Sequence, residues 1–302
     1  MSPQRAVPFS ISSAFTNSPF GGNPAAVVFL DSEADAKLDA DTLGKIAVNF
    51  QQPMTAFVYT STKSEASAAA GTATFEIRWI TPTATEVSIC GHATLVAASA
   101  IFARGLVGAE ITTLEFRGRM NGSIIRASKR PNGKFEISLP RSNTFSEKIP
   151  AGDALLPMLR QFESPDIVFV GHGGPGFENY LLIELDLKGN KTLGEYEVDA
   201  EAFRSTGYLV NIVTTRSPTP DASFVSRMFS PIALPADHAE DQVCGSAHCL
   251  LAPYWQNKLG LGQEFSARQV STRGGDLGLR LDDNMVALEG ETAVIANGEI
   301  FL

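Results

Sequence analysis

The chain has 302 residues, of which 44% are hydrophobic and 19% charged, and a formal net charge of −9. No apolar run approaches the roughly 18 residues that a membrane-spanning helix needs, and no apolar leader follows the first methionine, so a cytoplasmic protein without a membrane partner is expected. The acidic balance argues against a nucleic-acid partner, which would need clustered Lys and Arg, and three cysteines, an odd and small number, argue against a disulfide framework.

Short β-branched or alternating runs bounded by Gly, Pro and Asp predict strands at 25–30 (AAVVFL), 55–60 (TAFVYT) and 74–80 (TFEIRWI). Further strands are predicted at 123–128, 134–139, 166–170, 180–184 and along 277–302. The polar, small-residue stretch 61–74 (STKSEASAAAGTAT) reads as a surface loop. Helices are predicted at 41–48, capped by Asp41 or Thr42, and at 151–162 and 199–205. Two more, 92–104 (HATLVAASAIFAR) and 246–259 (SAHCLLAPYWQNKL), are apolar nearly all round and stop at Gly105 and Gly260. Helices with so little polar surface should be buried. Pro253 predicts a kink or break in the second. Four histidines and three cysteines form no CxxC or HxxxH pair, so no metal site is expected.

Both apolar helices follow the same motif. Arg78-Trp79-Ile80-Thr81-Pro82 leads through Glu86 to Cys90-Gly91-His92-Ala93. Arg227-Met228-Phe229-Ser230-Pro231 leads through Asp241 to Cys244-Gly245-Ser246-Ala247. Several features agreeing in order imply an internal duplication, two β-rich halves each wrapping one buried helix.

A helix start offers free N–H groups and the positive end of the macrodipole, which favour an anion and bias a nearby thiol toward thiolate. Gly91 and Gly245 allow close backbone approach to such a ligand. Cys90 and Cys244 can then be read as a thiol/thiolate pair, one removing a proton beside a carboxylate and the other returning it. They can equally be read as small buried residues. His92, at a helix start, is a candidate ligand or proton carrier. His248, one turn deeper, and Cys249 read as packing. Asp241 either orients a polar partner, serves as general base, or caps the helix.

The segments 14–30 (AFTNSPFGGNPAAVVFL), 77–95 (IRWITPTATEVSICGHATL), 226–231 (SRMFSP), 240–255 (EDQVCGSAHCLLAPYW) and 267–275 (ARQVSTRGG) together resemble the PhzF-like, phenazine-biosynthesis-type isomerases. These are relatives of diaminopimelate epimerase and proline racemase. The resemblance implies an α+β fold of two similar β-barrel-like domains, each around a central helix, with the active site in the cleft between them. On that division, residues 1–125 with about 285–302 form one domain and 126–284 the other. It implies cofactor-independent proton transfer on a small organic acid or secondary-metabolite intermediate, commonly by a homodimer. It supports His92 and the backbone of Gly91 as substrate contacts, matches Asp241 and Ser246 to substrate-binding positions, and places Asn23 and Pro24 in the same cleft.

One departure matters. Such enzymes usually carry a catalytic glutamate in a segment like Asn-Leu-Ser-Glu-Thr-Ala-Phe-Val. Here the segment reads Gln51-Gln52-Pro53-Met54-Thr55-Ala56-Phe57-Val58, and a thioether carries no transferable proton. Three expectations follow. Chemistry passes to the cysteine pair; or to His92 or Asp241, whose pKa burial and neighbouring charge can move; or the cleft orients a reactive substrate for a cyclisation or pericyclic step, with Met54 as an apolar wall. A non-catalytic binding protein is the reading from a different class.

Overall fold

The computed structural model describes residues 5–67, 71–145 and 152–302. Its first elements are β1 (Ala6–Ala14), β2 (Asn23–Leu30), α1 (Glu33–Ala36), α2 (Ala40–Phe50), β3 (Thr55–Ser67), β4 (Thr72–Ile80), β5 (Glu86–Val87) and α3 (Gly91–Ala103). Then come β6 (Thr113–Gly118), β7 (Ile124–Lys129), β8 (Phe135–Pro140), β9 (Thr144–Phe145), α4 (Gly152–Gln161), β10 (Asp166–Gly173), β11 (Tyr180–Asp186), β12 (Val210–Arg216), β13 (Phe224–Phe229) and β14 (Glu240–Asp241). The last are α5 (Gly245–Leu259), β15 (Glu264–Gln269), β16 (Gly275–Leu281), β17 (Met285–Gly290) and β18 (Thr292–Phe301). They form two compact units, Met1–Ser138 with Glu289–Leu302, and Leu139–Leu288.

The duplicated motif reflects a duplicated topology. In the first unit β1 pairs antiparallel with β2, β2 parallel with β3, and β3 antiparallel with β4. β4 then pairs antiparallel with β5 and parallel with β6, and β6 antiparallel with β7. In the second unit β10 to β16 repeat that series sense for sense.

Register corrects one sequence reading. Ile80 faces Glu86 across its hairpin, and Phe229 faces Glu240. The counterpart of Glu86 is therefore Glu240, and Asp241 corresponds to Val87. The ion pairs agree. Arg78 Nε and Nη2 donate to the two Glu86 carboxylate oxygens at 2.9 and 2.6 Å, and Arg227 donates to those of Glu240 at 2.7 and 2.8 Å. In the second unit Arg227 Nη1 also donates to the Tyr196 carbonyl at 2.7 Å.

Each unit buries its motif helix. α3 packs on β1, β2, β3, β7 and β18, and α5 on β11 and β16. Nine of the 13 residues of α3 are buried, as its apolar sequence required. α3 ends in a Schellman turn: Gly105 at φ +64° donates to Phe102, and Leu106 to Ile101. α5 closes on Gly260 at φ +63°.

Pro253 does not break α5, which runs unbroken from Gly245 to Leu259. A helical proline leaves the carbonyl four residues earlier without its donor. That carbonyl, of Cys249, accepts the Ser142 N–H at 3.0 Å instead.

Other expectations also shift. The cap of α2 is Asp39, whose side chain accepts the Thr42 N–H at 2.8 Å, not Asp41 or Thr42. The predicted 61–74 loop is largely a strand arm. β3 continues to Ser67 and pairs with β4 at Ser64↔Thr74 and Ser67↔Thr72, while residues 68–70 lie outside the described residues. The predicted helix 199–205 is a 3-10 helix, Ala200–Thr206. Strands β1, β6, β12, β13 and β15 were not among the predicted ones. Among the described residues no helix is long and apolar enough to cross a membrane.

Candidate active site

In the first unit Cys90, Gly91 and His92 stand at the start of α3, with the Pro24 carbonyl beside the His92 ring. Cys90 is extended (φ −147°, ψ 109°) and occupies the cap position without a side-chain capping bond, and no acidic residue lies in the first turn. Its carbonyl accepts the Thr94 N–H at 3.1 Å and the Thr94 hydroxyl at 2.6 Å, which fixes the backbone. Its Sγ lies 3.4 Å from His92 Nδ1. The His92 Nε2 is buried and has no hydrogen-bond partner. Burial pulls the His92 pKa down to about 4, and the nearby Pro24 carbonyl offsets only part of that. His92 is thus a neutral imidazole beside a thiol. Gly91 is half-buried at the first helical position. Asn23 and Pro24 open β2, opposite Ala14 and Ser13 of β1, and Asn23 is buried. Met54, directly before β3, is 7% exposed, and its carbonyl accepts the Ala26 N–H at 3.0 Å. The side chain that the family resemblance aligns with a glutamate is therefore buried and apolar.

The second unit repeats this at α5, with different side chains. Cys244 occupies the cap position, again without a side-chain capping bond or an acidic first turn. His248 Nδ1 donates to the Cys244 carbonyl at 2.7 Å, as Thr94 does to that of Cys90. His248 thus locks the backbone, in keeping with its reading as packing. Ser246 occupies the counterpart position of His92, with Oγ 3.3 Å from Cys244 Sγ. A Cβ at Gly245 would meet Leu288 Cδ1 at 3.1 Å, so a larger residue there needs the leucine tip to shift by a few tenths of an ångström. Asp241 does not cap α5; its Oδ1 accepts the Val243 N–H at 3.1 Å in the turn before it. Cys249 faces inward, donating to the Gly245 carbonyl, and burial raises its thiol pKa.

Three second-unit residues escaped the sequence reading. Buried Gln269 accepts the Cys244 N–H at 2.8 Å and donates to the Asp241 carbonyl at 2.5 Å, tying both ends of the turn into α5. Ser271 Oγ donates to the same carbonyl at 3.0 Å. Tyr180, on β11, donates its hydroxyl to Ser246 Oγ at 3.0 Å. Burial, then the charge of Cys244, raise the tyrosine pKa, so it stays a donor. The 267–275 segment had carried the family resemblance without a role for Gln269, and nothing in the sequence marked Tyr180, 66 residues from Ser246. Among the described residues no group of three or more His, Cys, Asp or Glu is arranged to hold a metal ion.

The histidines carry a pH signature. Burial also pulls His248 down to about 4, whereas in the unfolded chain both histidines titrate near 6.5. Between those values the unfolded chain binds more protons, so stability is full above about 6.5 and falls as pH drops toward 4. Each histidine accounts for up to about 3 kcal/mol of that loss. His248→Thr copies the Thr94 arrangement and removes one titrating group. Urea unfolding at pH 7 and pH 5 should show about half the wild-type acid sensitivity in that variant, whatever its absolute stability.

A family model described as phenazine biosynthesis-like protein matches residues 12–298. The chain belongs to the phenazine biosynthesis-like (PhzF) family. An uncharacterised isomerase of Halalkalibacterium halodurans is 31% identical over 300 residues, covering 98% of each chain. A human phenazine biosynthesis-like domain-containing protein is 31% identical over 308 residues, covering 97% of this chain and 99% of its own. The crystal structure of a PhzF-family protein from Enterococcus faecalis is 28% identical with a TM-score of 0.79, covering 99% of this chain and all of that one. A hydroxyproline epimerase from Agrobacterium vitis shares the fold at 10% identity and a TM-score of 0.58, covering all of this chain and 94% of its own. The PhzF-type α+β fold expected from the sequence is therefore present, and the family includes relatives named isomerases.

Proposed function

We propose that this PhzF-family protein is a cofactor-independent isomerase that moves a proton on a small carboxylate- or carbonyl-bearing metabolite, with Cys90 and Cys244 as acid and base. The observation that carries the reading is the pair of matched helix starts. In each unit a cysteine sits at the cap position, its sulfur is met by the side chain two residues on, and no acidic side chain occupies the first turn. Such a start attracts a carboxylate through its N–H groups and dipole. A bound carboxylate or carbonyl acidifies the adjacent C–H, and a nearby thiolate is a competent base. His92, Gly91, Gly245 and Ser246 bind the substrate's polar groups, Asn23 and Met54 line its site, and Asp241 shapes the turn that presents Cys244. The half-buried exposure of Cys90, Gly91 and Ser246 is consistent with ligand access.

The buried Met54 at the glutamate position supports a second reading, in which the site orients a reactive substrate for ring closure without a protein base. One experiment addresses both. Enzyme dialysed against a chelator is incubated with a panel of small 2-amino, 2-hydroxy and unsaturated carboxylates, and products are resolved by chiral chromatography and NMR. An epimer or double-bond isomer formed without added cofactor is the expected result. A ring-closed product that depends on Met54 but not on the cysteines would favour the second reading. No product above the uncatalysed rate across the panel would count against catalysis on this class of substrate.

A further inference from the structure

The two sulfurs have chemically different neighbours. Cys90 meets a neutral imidazole. Cys244 meets a serine hydroxyl that already accepts a hydrogen bond from Tyr180. We propose that Tyr180 is a positioning residue that acts on Cys244 through Ser246, orienting the serine proton toward the sulfur and so favouring its thiolate. The proposal rests on the thiol reading above and adds to it a direction: Cys244 is the resting base and Cys90 the resting acid.

The geometry permits a chain of one polarity, from Tyr180 through Ser246 to Cys244. The Tyr180 hydroxyl lies 3.0 Å from Ser246 Oγ and donates to it. Ser246 Oγ is 3.3 Å from Cys244 Sγ. In the proposed sense Ser246 accepts from tyrosine and donates its own hydrogen to the sulfur. Successive hydrogen bonds of one sense polarise each other, and the charged sulfur gains more from them than the neutral one. Tyr180 is held for this task. Its ring packs edge-on against Phe177 at a centroid distance of 5.0 Å, and its N–H donates to the Phe177 carbonyl at 2.9 Å. The cysteine is held as firmly, through its N–H on Gln269 and its carbonyl under His248. The sulfur therefore responds to the hydroxyl chain, not to backbone motion.

Other titratable groups lie near this sulfur. Asp241 on β14 and Cys249 on α5 both act electrostatically on this neighbourhood. His248 is neutral and committed to the Cys244 carbonyl. The next cation along β15 and its following turn, Arg273, reaches the segment through its backbone N–H on Gln242. In the first unit the position of Ser246 is taken by His92, whose neutral ring can accept the Cys90 S–H at Nδ1, an arrangement that keeps Cys90 protonated.

The test needs no substrate. The ultraviolet absorbance of the thiolate is titrated with pH, and the part belonging to Cys244 is isolated by subtracting the Cys244→Ala protein. Tyr180→Phe keeps the ring and removes the donor. Its Cys244 midpoint should rise by about half a pH unit, and that of Ser246→Ala by about one unit, the size of a lost hydrogen bond to a charged acceptor. The Cys90 component should not move. A Tyr180→Phe midpoint equal to wild type would overturn the proposal. If Tyr180→Phe does not fold, Ser246→Ala decides in the same way, a midpoint equal to wild type again overturning it. The titration is independent of turnover, so its failure leaves the isomerase reading standing, and an inactive substrate panel leaves the titration result standing.

Discussion

Cys90→Ala and Cys244→Ala should each lower turnover by about 10²–10⁴-fold, the usual contribution of a positioned acid or base. Both substitutions remove a single sulfur atom from a side chain that makes no capping bond, so little structural loss accompanies the chemical one. Cys249→Ala is the matched control. Cys249 is fully buried, its thiol points to the Gly245 carbonyl, and no reacting role is assigned to it. Turnover should be retained there, with a modest loss of stability from the vacated volume. The same three variants separate the two readings of the site. If the substrate is only oriented, both cysteine variants keep their activity and Met54 substitutions change it.

The second large effect concerns the fold. Arg227→Met should cost about 3–5 kcal/mol in urea unfolding, because removing one partner of a buried ion pair strands the other. The Arg227 side chain is 6% exposed and that of Glu240 15%. The Tyr196 carbonyl would lose its donor as well. Arg78→Met breaks the equivalent pair in the first unit, where the side chains are 17% and 20% exposed. A smaller loss is expected there, since water reaches the stranded Glu86 more easily. Arg204→Met breaks the exposed pair with Glu201 and the bond from Arg204 Nη2 to the Pro231 carbonyl at 2.6 Å, and should cost least. The ranking Arg227, then Arg78, then Arg204 is the measurable claim.

These expectations depend on features that the sequence disclosed unevenly. α3 and α5 were legible because a helix apolar on all sides has one stable environment, and glycine marked both ends. The duplication was legible because Arg, Pro, Cys and Gly recur in order. Its inner register was not. Glu240 and Asp241 are adjacent acids, and only the hairpin pairing Phe229↔Glu240 assigns Glu240, not Asp241, to Arg227. Pro253 misled because the cost of a helical proline depends on a distant donor, here the Ser142 N–H. Strands β12 and β13 carry the β-branched and aromatic residues of a buried strand, but short apolar runs are ambiguous without their neighbours. At the site, local residues were readable and remote supports were not. Cys90, Gly91 and His92 sit together in sequence, whereas Tyr180 and Gln269 reach the α5 start only through the sheet. Met54 was the most informative single residue. Its side chain is buried and carries no transferable proton.

The central claim is that a protein thiol exchanges a proton with the substrate, and turnover in D2O with mass and NMR analysis tests it most directly. Deuterium is expected at the isomerised carbon of the product in the wild-type enzyme, and its loss in Cys90→Ala and Cys244→Ala. Undiminished turnover and deuterium incorporation in both cysteine variants would contradict it.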